Sequence, residues 1–272
     1  MTYRLVAFDL DGTLVGADLT LSARVKTAVA RAQAQGVAVA IATGLGVWPT
    51  EHFAAELGLT APLICFQGGL LYDFREKRVL HETRLNPVVI PAIVQLAADR
   101  HWNLEFETAF TIYIRRSDCH SEELLNLQKK ANLRWVEDYL RELPETPHKF
   151  LLSVEKAAER DALEAELRTC WDQRLARLTI VPSHPLLVEG IPEGMSKAVG
   201  VDWLAQSLGL RREDVMAVGD NDNDAEMLAW AGLGVAMGRA SPKALAAARE
   251  TVPPVGDDGA AVALEKFVLG QA

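Results

Sequence analysis

A four-residue apolar run, Leu5-Val6-Ala7-Phe8, ends abruptly in Asp9-Leu10-Asp11-Gly12-Thr13. A run this short and apolar, without polar alternation, reads as a strand buried on both faces, and therefore as part of a parallel sheet covered by helices. Ligands of such open sheets bind beyond the carboxyl ends of the strands. Carboxylates at i and i+2 of an extended segment point to the same side. Burying both requires a cation or a set of donors, because like charges repel strongly away from water. The segment thus calls for a divalent metal and an ionised carboxylate with a task, against the competing reading of a plain Asp-Gly-Thr turn.

The chain repeats this arrangement. Ser22 is a suitable N-cap for a helix over 23–35, and Gly36 sits where a C′ glycine belongs. A buried strand follows at Val37–Thr43, then Gly44, a helix over Pro49–Leu57 and a strand over Pro62–Phe66. This βαβαβ order predicts an α/β fold, a doubly wound parallel-sheet core of the Rossmann-like kind. From 85 to 187 the pattern changes. Helices are expected at Val88–Asp99, Glu122–Ala131 and Ala157–Trp171, and strands at Phe110–Arg115, Phe150–Val154 and Leu178–Val181. Residues 85–187 therefore read as an α+β unit inserted into a discontinuous core of residues 1–84 and 188–272. The core style resumes with a helix over 196–208, strand Val215–Val218, helix Asp222–Ala231, strand Leu233–Met237 and a closing helix at Gly259–Leu269.

With 272 residues, 49% of them hydrophobic, the chain is long enough to bury a substantial core in one large domain or two modest ones. A net charge of −9 without a basic stripe argues against nucleic acid as a partner. It is compatible with a small phosphorylated metabolite, because metal, lysine and backbone N–H groups make a site locally positive. No apolar run has the length of a membrane span, and Met1-Thr2-Tyr3-Arg4 opens no signal segment; the expectation is a cytoplasmic protein without membrane contact. Cys65, Cys119 and Cys170 have neither disulfide nor zinc spacing.

Four polar sites fall at equivalent places. They are Asp9 with Asp11, Thr43-Gly44 after the second strand, Lys197 at a helix start, and Gly219-Asp220-Asn221-Asp222-Asn223-Asp224 after strand Val215–Val218. Each alone has a bland alternative: a strand-to-loop turn, a solvated lysine, a helix N-cap. Meeting at one crevice, they suit phosphoryl transfer with Mg²⁺. An ionised Asp attacks phosphorus, and a second carboxyl group protonates the leaving oxygen and then deprotonates water. Mg²⁺ takes oxygen ligands from few carboxylates. Lysine, a hydroxyl and N–H groups neutralise the equatorial oxygens.

The segments FDLDGTL (8–14), ATG (42–44), EGIPEGMSKAVGVDWLAQSLGL (189–210), VGDNDNDAEMLAWAGLGVAMGRA (218–240) and DDGAAVALEKF (257–267) closely resemble the haloacid dehalogenase superfamily of phosphohydrolases. Within it, the chain is most similar to the Cof-like subfamily, whose large α/β cap lies between the second and third motifs. The resemblance implies Asp9 as nucleophile and Asp11 as general acid/base. It implies phosphate binding by Thr43, Gly44, Lys197 and Asn223, and Mg²⁺ held by Asp9, Asp220 and the backbone carbonyl of Asp11. Asp224 would order the metal's waters and Lys197. Two positions depart from the family pattern: Leu45 where an Arg is common, and Gln67-Gly68-Gly69 where Asn-Gly-Ala is common. The resemblance puts both near the substrate entrance and outside the aspartyl-phosphate steps.

The expected function is therefore a Mg²⁺-dependent phosphatase of small phosphorylated metabolites, first among them sugar phosphates, acting through an aspartyl-phosphate. A phosphotransferase or phosphomutase on the same scaffold is the alternative, and a non-enzymatic phosphometabolite-binding protein the third reading. Trp102, Glu105, Glu107, Tyr113, Arg115 and His120 are candidates for the inner face of the cap. Trp48 is a candidate for the entrance, and His184 and Glu189 for the return to the core.

Overall fold

The computed structural model describes residues 3–116, 132–154, 156–169, 177–184 and 186–271. In chain order it lays down β1 (Leu5–Phe8), β2 (Ala38–Ile41), β3 (Leu63–Cys65), β4 (Leu70–Asp73) and β5 (Arg78–Glu82). Six strands follow: β6 (Asn103–Glu107), β7 (Ile112–Arg115), β8 (Leu133–Val136), β9 (Lys149–Ser153), β10 (Leu178–His184) and β11 (Leu187–Pro192). The chain ends with β12 (Val215–Gly219), β13 (Leu233–Met237) and β14 (Glu250–Val252). It divides into two units, one formed by the residues up to 82 and from 196 onward, the other by residues 83–195.

The first unit is built on a parallel sheet in the order β14-β13-β12-β1-β2. All four residues of β1 are buried, as a strand with neighbours on both sides and helices on both faces must be. Leu5 lies opposite both Ala38 and Val215 in this register. Helix Ala23–Ala34 is capped by Ser22, whose hydroxyl accepts the N–H of Val25 at 3.1 Å. The expected third parallel strand departs from the prediction. β3 touches the parallel sheet through the bridge between Ala42 and Ile64, and otherwise pairs antiparallel with β4 in a three-stranded sheet, β3-β4-β5. The cause is a tight reversal after Cys65: Phe66 and Gln67 both take left-handed backbone conformations, with φ of 51° and 55°, and the chain doubles back along β3.

The second unit carries a six-stranded sheet in the order β10-β11-β9-β6-β7-β8, antiparallel except where β7 runs beside β8. Phe106, Phe150, Leu152 and Val188 from one face join Ile93, Leu163 and Leu167 from helices Val89–Arg100 and Ala157–Thr169 in its core. The sequence reading returned the chain to the core at 188. In the structure, β11 is hydrogen-bonded between β9 and β10, with Leu187 opposite Ser153 and Ile191 opposite Thr179. Residues 188–195 therefore go with the second unit. The expected helix Glu122–Ala131, together with His120, Cys119 and Cys170, lies outside the described residues.

Candidate active site

The carboxyl ends of β1 and β12 bring the acidic motifs together. The N–H of Asp9 continues the β1–β12 ladder to the carbonyl of Val218 at 2.9 Å, so its side chain starts from a fixed backbone. Gly12 then turns the chain with φ of 83°. A Cβ at this position would approach the Asp220 carboxylate to 2.4 Å, so glycine is required both by conformation and by the closeness of the two loops. Thr13 donates its hydroxyl to Asp220 Oδ1 at 3.3 Å.

Lys197 is the first residue of helix Lys197–Ser207 and is only 2% exposed. Its ammonium donates to Asp9 Oδ1 at 2.5 Å and to Asp224 Oδ1 at 2.6 Å. Asp224 has no solvent exposure. Its second oxygen accepts the N–H groups of Asp220 and Asn221, each at 3.0 Å. Asp224 is thus satisfied on both oxygens and acts as a rigid link between the β12 loop and Lys197. Ligand oxygens of Asp9, Asp220 and Asp224 all lie within 4.8 Å of one another.

One ammonium does not balance three carboxylates. Burial, reinforced by Asp224, holds the Asp9 carboxyl well above the usual carboxylate range despite the opposing pull of Lys197. Burial and then Asp224 push Asp220 up to about 6. Burial alone would lower Lys197, but Asp224 and Asp9 together carry it above the ordinary lysine value. A cluster of oxygen donors that resists ionisation in this way fits a hard divalent cation, whose charge would restore the ionised carboxylates.

The other expected residues are placed as follows. Thr43 is buried; its N–H bonds the carbonyl of Ile64 at 2.9 Å, and its hydroxyl oxygen accepts the N–H of Leu45 at 3.1 Å. Gly44 follows it, half-buried. Asp11 is exposed, with a backbone bridge to Val15. The expectation of two carboxylates buried side by side is therefore corrected. The chain bends after β1, so Asp9 turns inward and Asp11 stays in contact with water, where it can exchange protons. Asn223 donates its amide to Gln67 Oε1 at 3.0 Å. Gln67 itself is 1% exposed. The left-handed reversal turns the Gln67 side chain inward onto the fourth motif.

In the second unit, Glu107 and Glu189 hold Lys149 between them at 3.2 and 3.3 Å, all three buried. Lys149 had no signal in the sequence, since a lone lysine beside His148 in a strand reads as a solvated charge. Tyr113 belongs to that unit's core, and Trp102 packs against it. Arg115 lies over the Tyr139 ring. Trp48 in the first unit is exposed.

A parallel sheet with an inward Asp after an interior strand, a lysine held between two aspartates, and a loop of further carboxylates defines a phosphoryl-transfer hydrolase. The family model for haloacid dehalogenase-like hydrolases matches residues 6–264. The chain belongs to that family, in its Cof-like branch, and is a phosphatase. It is 29% identical to the 5-amino-6-(5-phospho-D-ribitylamino)uracil phosphatase YitU of Bacillus subtilis, over 97% of each chain. It is 30% identical to the HMP-PP phosphatase of Cronobacter sakazakii, over 89% of this chain and 87% of that one. The crystal structure of a haloacid dehalogenase-like hydrolase from Bacteroides thetaiotaomicron superposes with a TM-score of 0.86 at 28% identity, covering 97% of this chain and 99% of that one. Among the described residues, no helix is long and apolar enough to cross a membrane.

Proposed function

We propose that the enzyme is a Mg²⁺-dependent phosphatase that hydrolyses phosphate monoesters of small metabolites, sugar phosphates first among them, through an aspartyl-phosphate on Asp9. The observation that carries this reading is the buried contact of Lys197 with both Asp9 and Asp224, beside Asp220. Lys197 orients the Asp9 carboxylate and neutralises charge as phosphorus is approached. An Asp9 oxygen forms the new bond to phosphorus while the ester P–O bond breaks, and the leaving oxygen takes the proton of the Asp11 carboxyl group. Asp11, now ionised, removes a proton from an incoming water. The water oxygen bonds to phosphorus, the Asp9–phosphorus bond breaks, and inorganic phosphate leaves.

Thr43 and Gly44 at the end of the second strand, with Asn223, are assigned to the phosphoryl oxygens. Asp9, Asp220 and the backbone carbonyl of Asp11 would hold Mg²⁺, with Asp224 fixing its surroundings. The ion would supply a positive charge that draws electron density from the phosphoryl oxygens. The relatives named above are phosphatases named for small phosphorylated compounds, which supports the substrate class.

The test is phosphate release from a panel of phosphorylated sugars and other metabolites, with and without MgCl₂, by the wild type and by Asp9→Asn. Mg²⁺-dependent release lost in the variant is the expected result. Transfer of the phosphoryl group to a second sugar hydroxyl, without free phosphate, would assign the chain to phosphotransfer instead.

A further inference from the structure

We propose that Gln67 is part of the phosphoryl-binding site: its side-chain N–H₂ donates to a non-bridging phosphoryl oxygen while its side-chain carbonyl holds Asn223. This rests on the phosphatase reading and adds a ligand-binding residue to it.

Three of the motifs converge on the reversal that carries Gln67. Its backbone N–H donates to the carbonyl of Thr43 at 3.0 Å. Its side-chain carbonyl accepts from Asn223 at 3.0 Å. The next residue, Gly68, has φ of 91° and lies so close to the helix bearing Lys197 that a Cβ would come within 2.1 Å of the Ser196 carbonyl oxygen. One short turn therefore sets the spacing between Thr43, Asn223 and the start of the Lys197 helix.

The side chain is poorly explained by packing alone. Phe66 and Gln67 are consecutive non-glycine residues in left-handed conformation, an arrangement that persists only where the surroundings enforce it. The side chain is 1% exposed, yet its Nε2 has no hydrogen-bond partner, and neither does Oδ1 of Asn223. A buried amide with an idle N–H₂ is unfavourable unless an acceptor fills the place. A glutamine serving only to hold Asn223 would use its carbonyl and leave its N–H₂ buried without an acceptor. An amide that binds an anion uses both ends, its carbonyl on Asn223 and its N–H₂ on an acceptor oxygen. The phosphoryl group is the oxygen-rich ligand that Thr43, Lys197 and Asn223 already surround in the proposed mechanism.

The experiment is calorimetric titration of inorganic phosphate, in the presence of MgCl₂, into the wild type, Gln67→Leu, Gln67→Glu and Gln67→Asn. Hydrolysis of p-nitrophenyl phosphate by the wild type is run alongside. Gln67→Glu keeps an acceptor for Asn223 but replaces the N–H₂ with a carboxylate oxygen, so it separates holding Asn223 from binding phosphate. The expected result is about tenfold weaker phosphate binding in Gln67→Leu, weaker binding still in Gln67→Glu, and partial recovery in Gln67→Asn, an amide that tolerates the left-handed backbone. Far-ultraviolet circular dichroism of each variant should match the wild type; if Gln67→Leu does not fold, Gln67→Glu against Gln67→Asn gives the same comparison. Wild-type hydrolysis combined with unchanged phosphate affinity in Gln67→Glu overturns the role of Gln67 and leaves the phosphatase reading standing. A wild type that neither hydrolyses the ester nor binds phosphate overturns both.

Discussion

The ammonium of Lys197 sits 2.6 Å from a carboxylate oxygen of Asp224, with both side chains closed off from solvent. Breaking a buried pair by removing one partner leaves an uncompensated charge. Lys197→Met is therefore expected to lower the metal-free unfolding free energy at pH 7 by about 3–5 kcal/mol. Urea unfolding followed by tryptophan fluorescence measures it. A loss below about 1 kcal/mol would mean that the lysine does not balance the cluster.

Asp9→Asn is expected to act in opposite directions on stability and turnover. Burial and Asp224 already disfavour ionised Asp9, so a neutral amide of the same shape relieves repulsion. The metal-free variant should unfold at the same urea concentration as the wild type or at a higher one, while kcat falls by a factor of at least about 10³. A variant that is both inactive and clearly destabilised would contradict this account of Asp9.

A divalent cation should stabilise the fold. The carboxylates of Asp9, Asp220 and Asp224 present oxygens within 4.8 Å of one another and are short of positive charge. MgCl₂ at a hundred times its Kd should add about 2.7 kcal/mol, a rise of several degrees in melting temperature. EDTA should reverse it, and Asp220→Asn should abolish it. An equal rise in Asp220→Asn would place the ion elsewhere.

The Lys149 cluster of the second unit gives a pH-dependent prediction. Burial holds Glu107 above its ordinary value, although Lys149 pulls it down. Burial alone would lower Lys149, but Glu107 and then Glu189 raise it above its ordinary value. A lysine raised in the folded state contributes stability that is present throughout neutral pH and lost only in strong alkali. Lys149→Met removes that contribution and should destabilise the protein at pH 7 by about 3–5 kcal/mol. Without the ammonium, Glu107 is protonated more readily in the fold, and protonation removes the penalty. The deficit should narrow as pH falls toward the carboxyl range. Urea midpoints of wild type and variant at a series of pH values test this, and a deficit that widens on acidification would refute it.

The parts of the fold written in local pattern were legible. Strands β1, β2, β12 and β13 are unbroken apolar runs ending in polar residues and glycine, and Ser22 and Gly36 bracket their helix. The sequence also held the order of the motif residues that meet at the strand ends. What escaped it depends on tertiary geometry. Strand β6, Asn-Leu-Glu-Phe-Glu, alternates polar and apolar residues, yet both its glutamates are buried, Glu107 against Lys149 across from it. The reversal at Phe66-Gln67 takes left-handed backbone at two non-glycine residues before Gly68; Gly68-Gly69 marks a turn, but nothing local announced that β3 would double back or that Gln67 would meet Asn223. The separation of Asp9 from Asp11 follows from a bend after β1 that strand periodicity does not contain.

The placement of β1 between β2 and β12 sets a timetable for the making of the enzyme. Thr13 and Asp220, which touch in the finished site, are 207 positions apart. While the ribosome is still translating the inserted unit, β1 has one neighbour and an open edge, and Asp9 has neither its lysine nor its aspartate partners. The sheet closes only when β12 emerges, so the nascent chain carries its reactive carboxylate for most of synthesis in a form without chemistry. Loop closure over such a distance is slow. The second unit, contiguous in sequence, has every strand of its sheet in hand before the first unit does.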